Sequence, residues 1–133
     1  MAGHSVQVEY MHICDYAFPA QGGKPCIIGI FDRITASKFP NVHPVMTVAA
    51  QLRGQQGHKL AVQISMVDPK NKPLFTVNAG LSFGQNGAAF LHFQMVQLGF
   101  PMSGNYTVNI ISEGMALASQ TLKLVQGHGA QAA

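Results

Sequence analysis

Six histidines, two cysteines and five carboxylates are the side chains here that could hold a metal, attack a carbonyl or move a proton. The histidines are His4, His12, His43, His58, His92 and His128. None stands in an H-x-H or H-x3-H spacing, and Cys14 and Cys26 form no C-x2-C pair, so no single element offers a chelate. A metal site would need His12, Cys14 and His92 to converge from distant strands. His4 and His128 are terminal and expected to be solvated. No G-x-S-x-G elbow is present, and neither cysteine carries a protease signature. Both thiols lie in apolar runs, where a thiol is inert filling. Among Glu9, Asp15, Asp32, Asp68 and Glu113, turns account for Asp68 and Glu113. Asp15 and Asp32 each end an apolar strand, and capping a turn explains them better than acid–base work. GIFDRI and GGKPC lack the spacing of a phosphate loop. We therefore expect no catalytic centre, no metal and no cofactor.

One segment remains. IIGIFDRITASKFPNVHP (27–44) leaves a strand at Asp32, crosses a polar stretch, and ends in Phe39-Pro40 and His43-Pro44. Two prolines four apart stiffen this connection. It reads either as a crossover whose Phe39 plugs the open end of a sandwich, or as a recognition edge built from Asp32, Arg33, Phe39 and His43. Asp15 can sit at the same edge.

The elements that position these residues read as strands throughout. Short apolar runs alternate with Gly, Pro and Asn clusters every 8–12 residues or so, the spacing of a sandwich or barrel. In 58–68, Leu60, Val62, Ile64 and Met66 share one face, while Ala61, Gln63 and Ser65 share the other. The same alternation turns Met46, Val48, Ala50 and Leu52 inward, with Tyr106, Val108, Ile110, Leu122 and Leu124. Asp68-Pro69-Lys70-Asn71 reads as a type I turn, and Ser112-Glu113-Gly114-Met115 as a hairpin connection. In 5–16 the apolar phase shifts between Val8 and Met11, which predicts a bulge or a switch of sheets. The stretch 87–100 reads as a strand apolar on both faces, central or covered by a neighbour. The expected fold is an all-β, immunoglobulin-like antiparallel sandwich of about seven to eight strands, paired consecutively through short turns, over residues 1–125. A flexible tail, 126–133, is expected to follow.

Charged residues make up 10% of the chain, against roughly 25% in ordinary domains. Such a surface resists association weakly. It fits either a monomer with a neutral polar coat or a subunit covered by copies or partners. The net charge is +3, and its eight basic residues are scattered, without the basic stripe of a nucleic-acid reader. No apolar stretch reaches the ~18 residues that span a bilayer, and the N-terminus lacks a secretory pattern. We expect a cytoplasmic protein with reduced thiols, no nucleic-acid partner and no membrane partner.

Cys14-Asp15-Tyr16, Gly23-Lys24, Ile28-Gly29-Ile30-Phe31-Asp32-Arg33-Ile34, Phe39-Pro40, His43-Pro44, Val67-Asp68-Pro69 and Gly104-Asn105-Tyr106 together form a pattern. Over about residues 7–125 it resembles an uncharacterised family of short bacterial all-β proteins, a domain of unknown function. Lys24-Pro25 departs from the lysine-leucine step usual there. The resemblance implies a single small sandwich and supplies no activity, substrate or cofactor.

The function expected first is a non-enzymatic protein-binding or assembly module that self-associates or joins a larger complex. The alternative is a small-ligand or carbohydrate-binding sandwich using the Asp32–His43 edge, with Asp15, Asp32, Arg33 and His43 as polar contacts. A metal-dependent enzyme comes third.

Overall fold

The computed structural model describes residues 5–127, so His4, His128 and all but the first two residues of the expected tail lie outside the described residues. Nine strands are present among them: β1 (Gln7–Pro19), β2 (Pro25–Ile30), β3 (Arg33–Ala36), β4 (Asn41–Arg53), β5 (Lys59–Val67), β6 (Pro73–Ser82), β7 (Ala88–Phe100), β8 (Gly104–Ser112) and β9 (Met115–Gln126). They form a four-stranded sheet of order β2-β1-β4-β7 and a five-stranded sheet of order β3-β9-β8-β5-β6. Alternating apolar side chains from both sheets meet in one core. Ile13, Met46, Val48, Ala50 and Leu52 come from the first sheet, and Val62, Ile64, Met66, Tyr106, Val108, Ile110, Leu122 and Leu124 from the second. The fold is an immunoglobulin-like β-sandwich.

Local chemistry sets the turns. One carboxylate oxygen of Asp68 accepts from the Lys70 and Lys72 amides, each at 2.8 Å, which fixes the turn after β5. Glu113 and Gly114 both take positive φ, +52° and +78°, as a tight primed hairpin turn requires. The bulge expected in the first strand falls between Val8 and Tyr10. At the β7–β8 corner the buried Tyr106 hydroxyl donates to the Met102 carbonyl (2.6 Å) and accepts from the Met102 amide (3.1 Å). This is the tyrosine corner of immunoglobulin-like sandwiches.

Four features differ from the sequence expectation. The strand count is nine, because residues 25–36 split into two strands that join different sheets. Pairing is not consecutive throughout: β1 pairs with β4, β4 with β7, and β3 runs parallel to β9. β7 is an edge strand rather than a central one. Its apolar inner face is accounted for by the core, whereas Phe90, His92, Gln94 and Val96 look outward. Finally, β9 continues through Gln126, and the Gly127 amide still donates to the Ala36 carbonyl.

β1 pairs with β4 only as far as Cys14, and with β2 from Cys14 onward. Were β1 straight, the β1–β2 tip would lie roughly 30 Å from Gln51 at 3.3 Å per residue. Instead Gly22–Pro25 share a small cleft with Gln51, Asn86, Ala88 and Phe90. The hairpin therefore turns back across the outer side of β4. Thr47 and Ala49 point away from the core and yet are buried.

Candidate functional site

The segment from β2 to β4 crosses between the sheets and returns. The Phe31 amide donates to Ile13 of the first sheet, and the Asp32 carbonyl accepts from Lys123 of the second, both at 2.9 Å. One peptide unit thus makes the crossing. β3 then follows β9, anchored at its end by Gln126 Nε2 donating to the Ser37 carbonyl (3.1 Å). Residues 37–40, with a cis Phe39-Pro40 bond, lead back to the first sheet.

This path gathers several of the residues singled out by sequence. Asp15 stands opposite Gly29 across the β1–β2 ladder. Gly29 has φ +74°, and a Cβ there would run into the Asp15 carboxylate. Glycine therefore leaves room for the carboxylate to lie across β2. Asp15, Arg33 and His43 line one cleft of ≈ 400 Å³, walled by Phe31, Ile34 and Val42. Asp32 faces a neighbouring cleft of ≈ 390 Å³, on the other side of Ile30 and Phe31, with Met11 and Gln120. Phe39 is half-buried and packs against the core. The structure thus places Asp15, Arg33 and His43 together and Asp32 beside them, while Phe39 packs on the core and lines neither cleft.

Electrostatics in the cleft are uneven. Asp15 and Arg33 carry opposite charges and do not pair; among the described residues the ion pair present is Glu9–Arg53, at 2.9 Å. Neither the Asp15 nor the Asp32 carboxylate accepts a hydrogen bond among the described residues, so the expected turn caps are not made. Burial against Phe31, whose ring centroid lies 5.9 Å away, pushes the His43 pKa below its ordinary value, while the Asp15 carboxylate and the Val45 backbone pull the other way.

The other reactive groups are quieter. Cys14 is buried, and its thiol donates to the Tyr16 and Thr47 carbonyls at 3.4 and 3.6 Å. Burial, with Asp15 adding to it, raises its pKa to about 11, so it stays protonated. Cys26 pairs with Phe18 and Cys14 with Ile30, four register positions apart on the same ladder. That offset is roughly 13 Å, beyond disulfide reach. His12 and His92 flank Ala49 in one cross-strand row, stacked on Tyr10 and Phe90. Among the described residues no group of three or more His, Cys, Asp or Glu could hold a metal, and no helix is long and apolar enough to cross a membrane.

A second surface was not anticipated from sequence. Tyr16, Phe18, Ile28 and Ile30 share one face of the β1–β2 ladder and are 43–57% exposed. The signal was present in the runs YAF and CIIGIF, which are apolar at consecutive positions and so cannot bury both faces of a two-stranded hairpin.

A family model described as a family of unknown function (DUF6941) matches residues 9–125. No curated protein matches the chain. Among solved structures, the chain is similar to an immunoglobulin-like protein from Pseudomonas aeruginosa, at 11% identity and TM-score 0.51, over 90% of this chain and 96% of that one. It is also similar to the alkylpurine DNA glycosylase AlkC of Pseudomonas fluorescens, at 12% identity and TM-score 0.54, over 90% of this chain and 30% of that one. A third similarity is to a β-glucosidase from Listeria innocua, at 7% identity and TM-score 0.53, over 92% and 16%. The chain thus spans less than a third of the glycosylase and about a sixth of the glucosidase. At these identities the likeness is one of fold.

Proposed function

The chain belongs to the DUF6941 family of unknown function, and we propose that it is a non-enzymatic module that self-associates or serves as a subunit of a larger complex. The exposed apolar face of the β1–β2 hairpin carries this reading. Tyr16, Phe18, Ile28 and Ile30 form cross-strand neighbours on one surface. Clustered exposed apolar groups mark contact surfaces, and fully burying one such side chain contributes about 1.5–3 kcal/mol. A chain with 10% charged residues has little repulsion to keep such faces apart. The module is assigned to the cytoplasm of a bacterium, in keeping with its motif pattern and with two cysteines too far apart to bridge.

Light scattering over a wide concentration range tests the reading. The expected mass is a multiple of 14.2 kDa, and the paired substitution Ile28→Lys, Ile30→Lys should lower the mass or release a co-purifying partner. A 14.2 kDa species at every concentration, with no partner lost on that substitution, would sink it.

A second reading is favoured by the unpaired Asp15 and Arg33 facing one cleft with His43. There the sandwich binds a small polar ligand such as a carbohydrate, hydroxyls meeting the charged groups and the ring face meeting Phe31. Titration with glucose, followed by NMR, should shift His43 and Phe31 resonances and spare those of β5. Shifts absent up to high millimolar sugar would exclude carbohydrate at this cleft.

A further inference from the structure

The two flanks of the sandwich are protected unequally. On one flank, the edge strand β2 is six residues long, opens with Pro25 and carries the positive-φ Gly29; β3 is four residues long, with Arg33 inside it and Lys38 just beyond. Short length, proline, irregular backbone and charge are the means by which edges avoid pairing. The other flank is formed by β6 and β7, each an edge of its sheet. From Pro73 to Ser112 the chain contains no Asp, Glu, Lys or Arg. β7 runs thirteen residues without a proline and pairs only with β4. From Ala89 to Met95 its outward backbone groups have no partner among the described residues. The regular stretch ends at Gln97, whose φ is +53°.

We infer that β7 pairs antiparallel with β7 of a second copy, joining two four-stranded sheets into one of eight. This rests on the assembly reading above, names a second copy as its partner, and adds to the β1–β2 face a surface at the opposite edge of the sheet. Unpaired backbone N–H and C=O groups along an extended edge are matched best by another extended strand. A second copy is favoured over a charged foreign strand because this edge offers a charged side chain nothing to pair with. A two-fold axis makes the pairing antiparallel, and using the whole free stretch from Ala89 to Met95 puts His92 on the axis. Phe90 then faces Gln94 of the copy on the outer side, while Leu91 faces Phe93 and Ala89 faces Met95 on the inner side. The contact would also cover Phe75 and Phe93, half-buried rings 6.2 Å apart at this open flank.

Lysine on the exposed outer face of the edge tests the inference without touching the core. His92→Lys places two like charges together at the axis, and Gln94→Lys supplies an edge guard. Each should raise the concentration at which the dimer forms at least tenfold, with an unchanged thermal melt showing that the fold survives. Hydrogen exchange gives a second readout: alternate β7 amides between 89 and 95 should exchange slowly in concentrated wild-type protein and fast on dilution. Unchanged dimerisation in both lysine variants would overturn the inference. Oligomers abolished only by Ile28→Lys, Ile30→Lys would overturn it and leave the assembly reading intact. A wild-type monomer at all concentrations would remove self-pairing altogether.

Discussion

Tyr106 makes two hydrogen bonds with one hydroxyl in a fully buried site, so the residue scale shows most clearly what a single atom contributes. Tyr106→Phe keeps the ring and strands the Met102 carbonyl and amide. The expected loss is about 1–3 kcal/mol in chemical denaturation. His43 supplies a pH dependence. Its folded pKa is pushed below the ordinary 6.5, so the unfolded chain takes up the proton first. The unfolded state therefore binds more protons as the pH falls below about 6.5, and stability declines there, levelling off beneath the folded value. Since the Asp15 carboxylate opposes the effect of burial, Asp15→Asn should move the His43 titration to still lower pH in an NMR titration. An unmoved titration would mean that the two do not face each other. The inward alternation around Tyr106 was legible in sequence, because period two in NYTVNI assigns the face. The His43–Asp15 proximity was expected only as a shared edge, since 28 positions of chain separate the two.

At the scale of elements, the crossing between sheets at Phe31–Asp32 organises the candidate cleft. Gly29 is where this arrangement is most sensitive. Gly29→Ala forces a side chain into a positive-φ position and against the Asp15 carboxylate, and should cost about 1–3 kcal/mol. By driving the Asp15 carboxylate out of the cleft, the variant should also move the His43 titration to lower pH, as Asp15→Asn does. Sequence reading found the turn chemistry of Asp68 and Glu113-Gly114 and the bulge at Val8–Tyr10, because each is written in a few adjacent residues. It missed the splitting of residues 25–36 between two sheets. Nothing in CIIGIFDRITA states which neighbour each half will pair with; that depends on β1 and β9, far along the chain. It also left β7 as either central or covered by a neighbour, and the strand is an edge. A strand with one face in a core and aromatic side chains on the other reads the same at the centre as at an edge.

For the whole molecule, the unusual quantity is the distribution of charge. Charged residues are scarce, and none falls between Pro73 and Ser112, the span that builds β6, β7 and β8. Association should therefore be insensitive to salt, because no ion pairs hold the β7 flank. Light scattering at ~0.05 M and ~0.5 M salt should give the same mass, and dissociation at high salt would point to a charged interface instead. The sequence by itself determined the all-β class, the inward face of most strands, the turns, and the weak electrostatic barrier to association. Each of these follows from local composition or from a period of two. Tertiary structure alone decided that the hairpin folds back with Tyr16, Phe18, Ile28 and Ile30 as the face left open, that Asp15, Arg33 and His43 share one cleft, and that one flank is guarded and the other bare. Those outcomes depend on which strands become neighbours, and pairing is set by the packing of the whole core, not by any stretch of chain read alone.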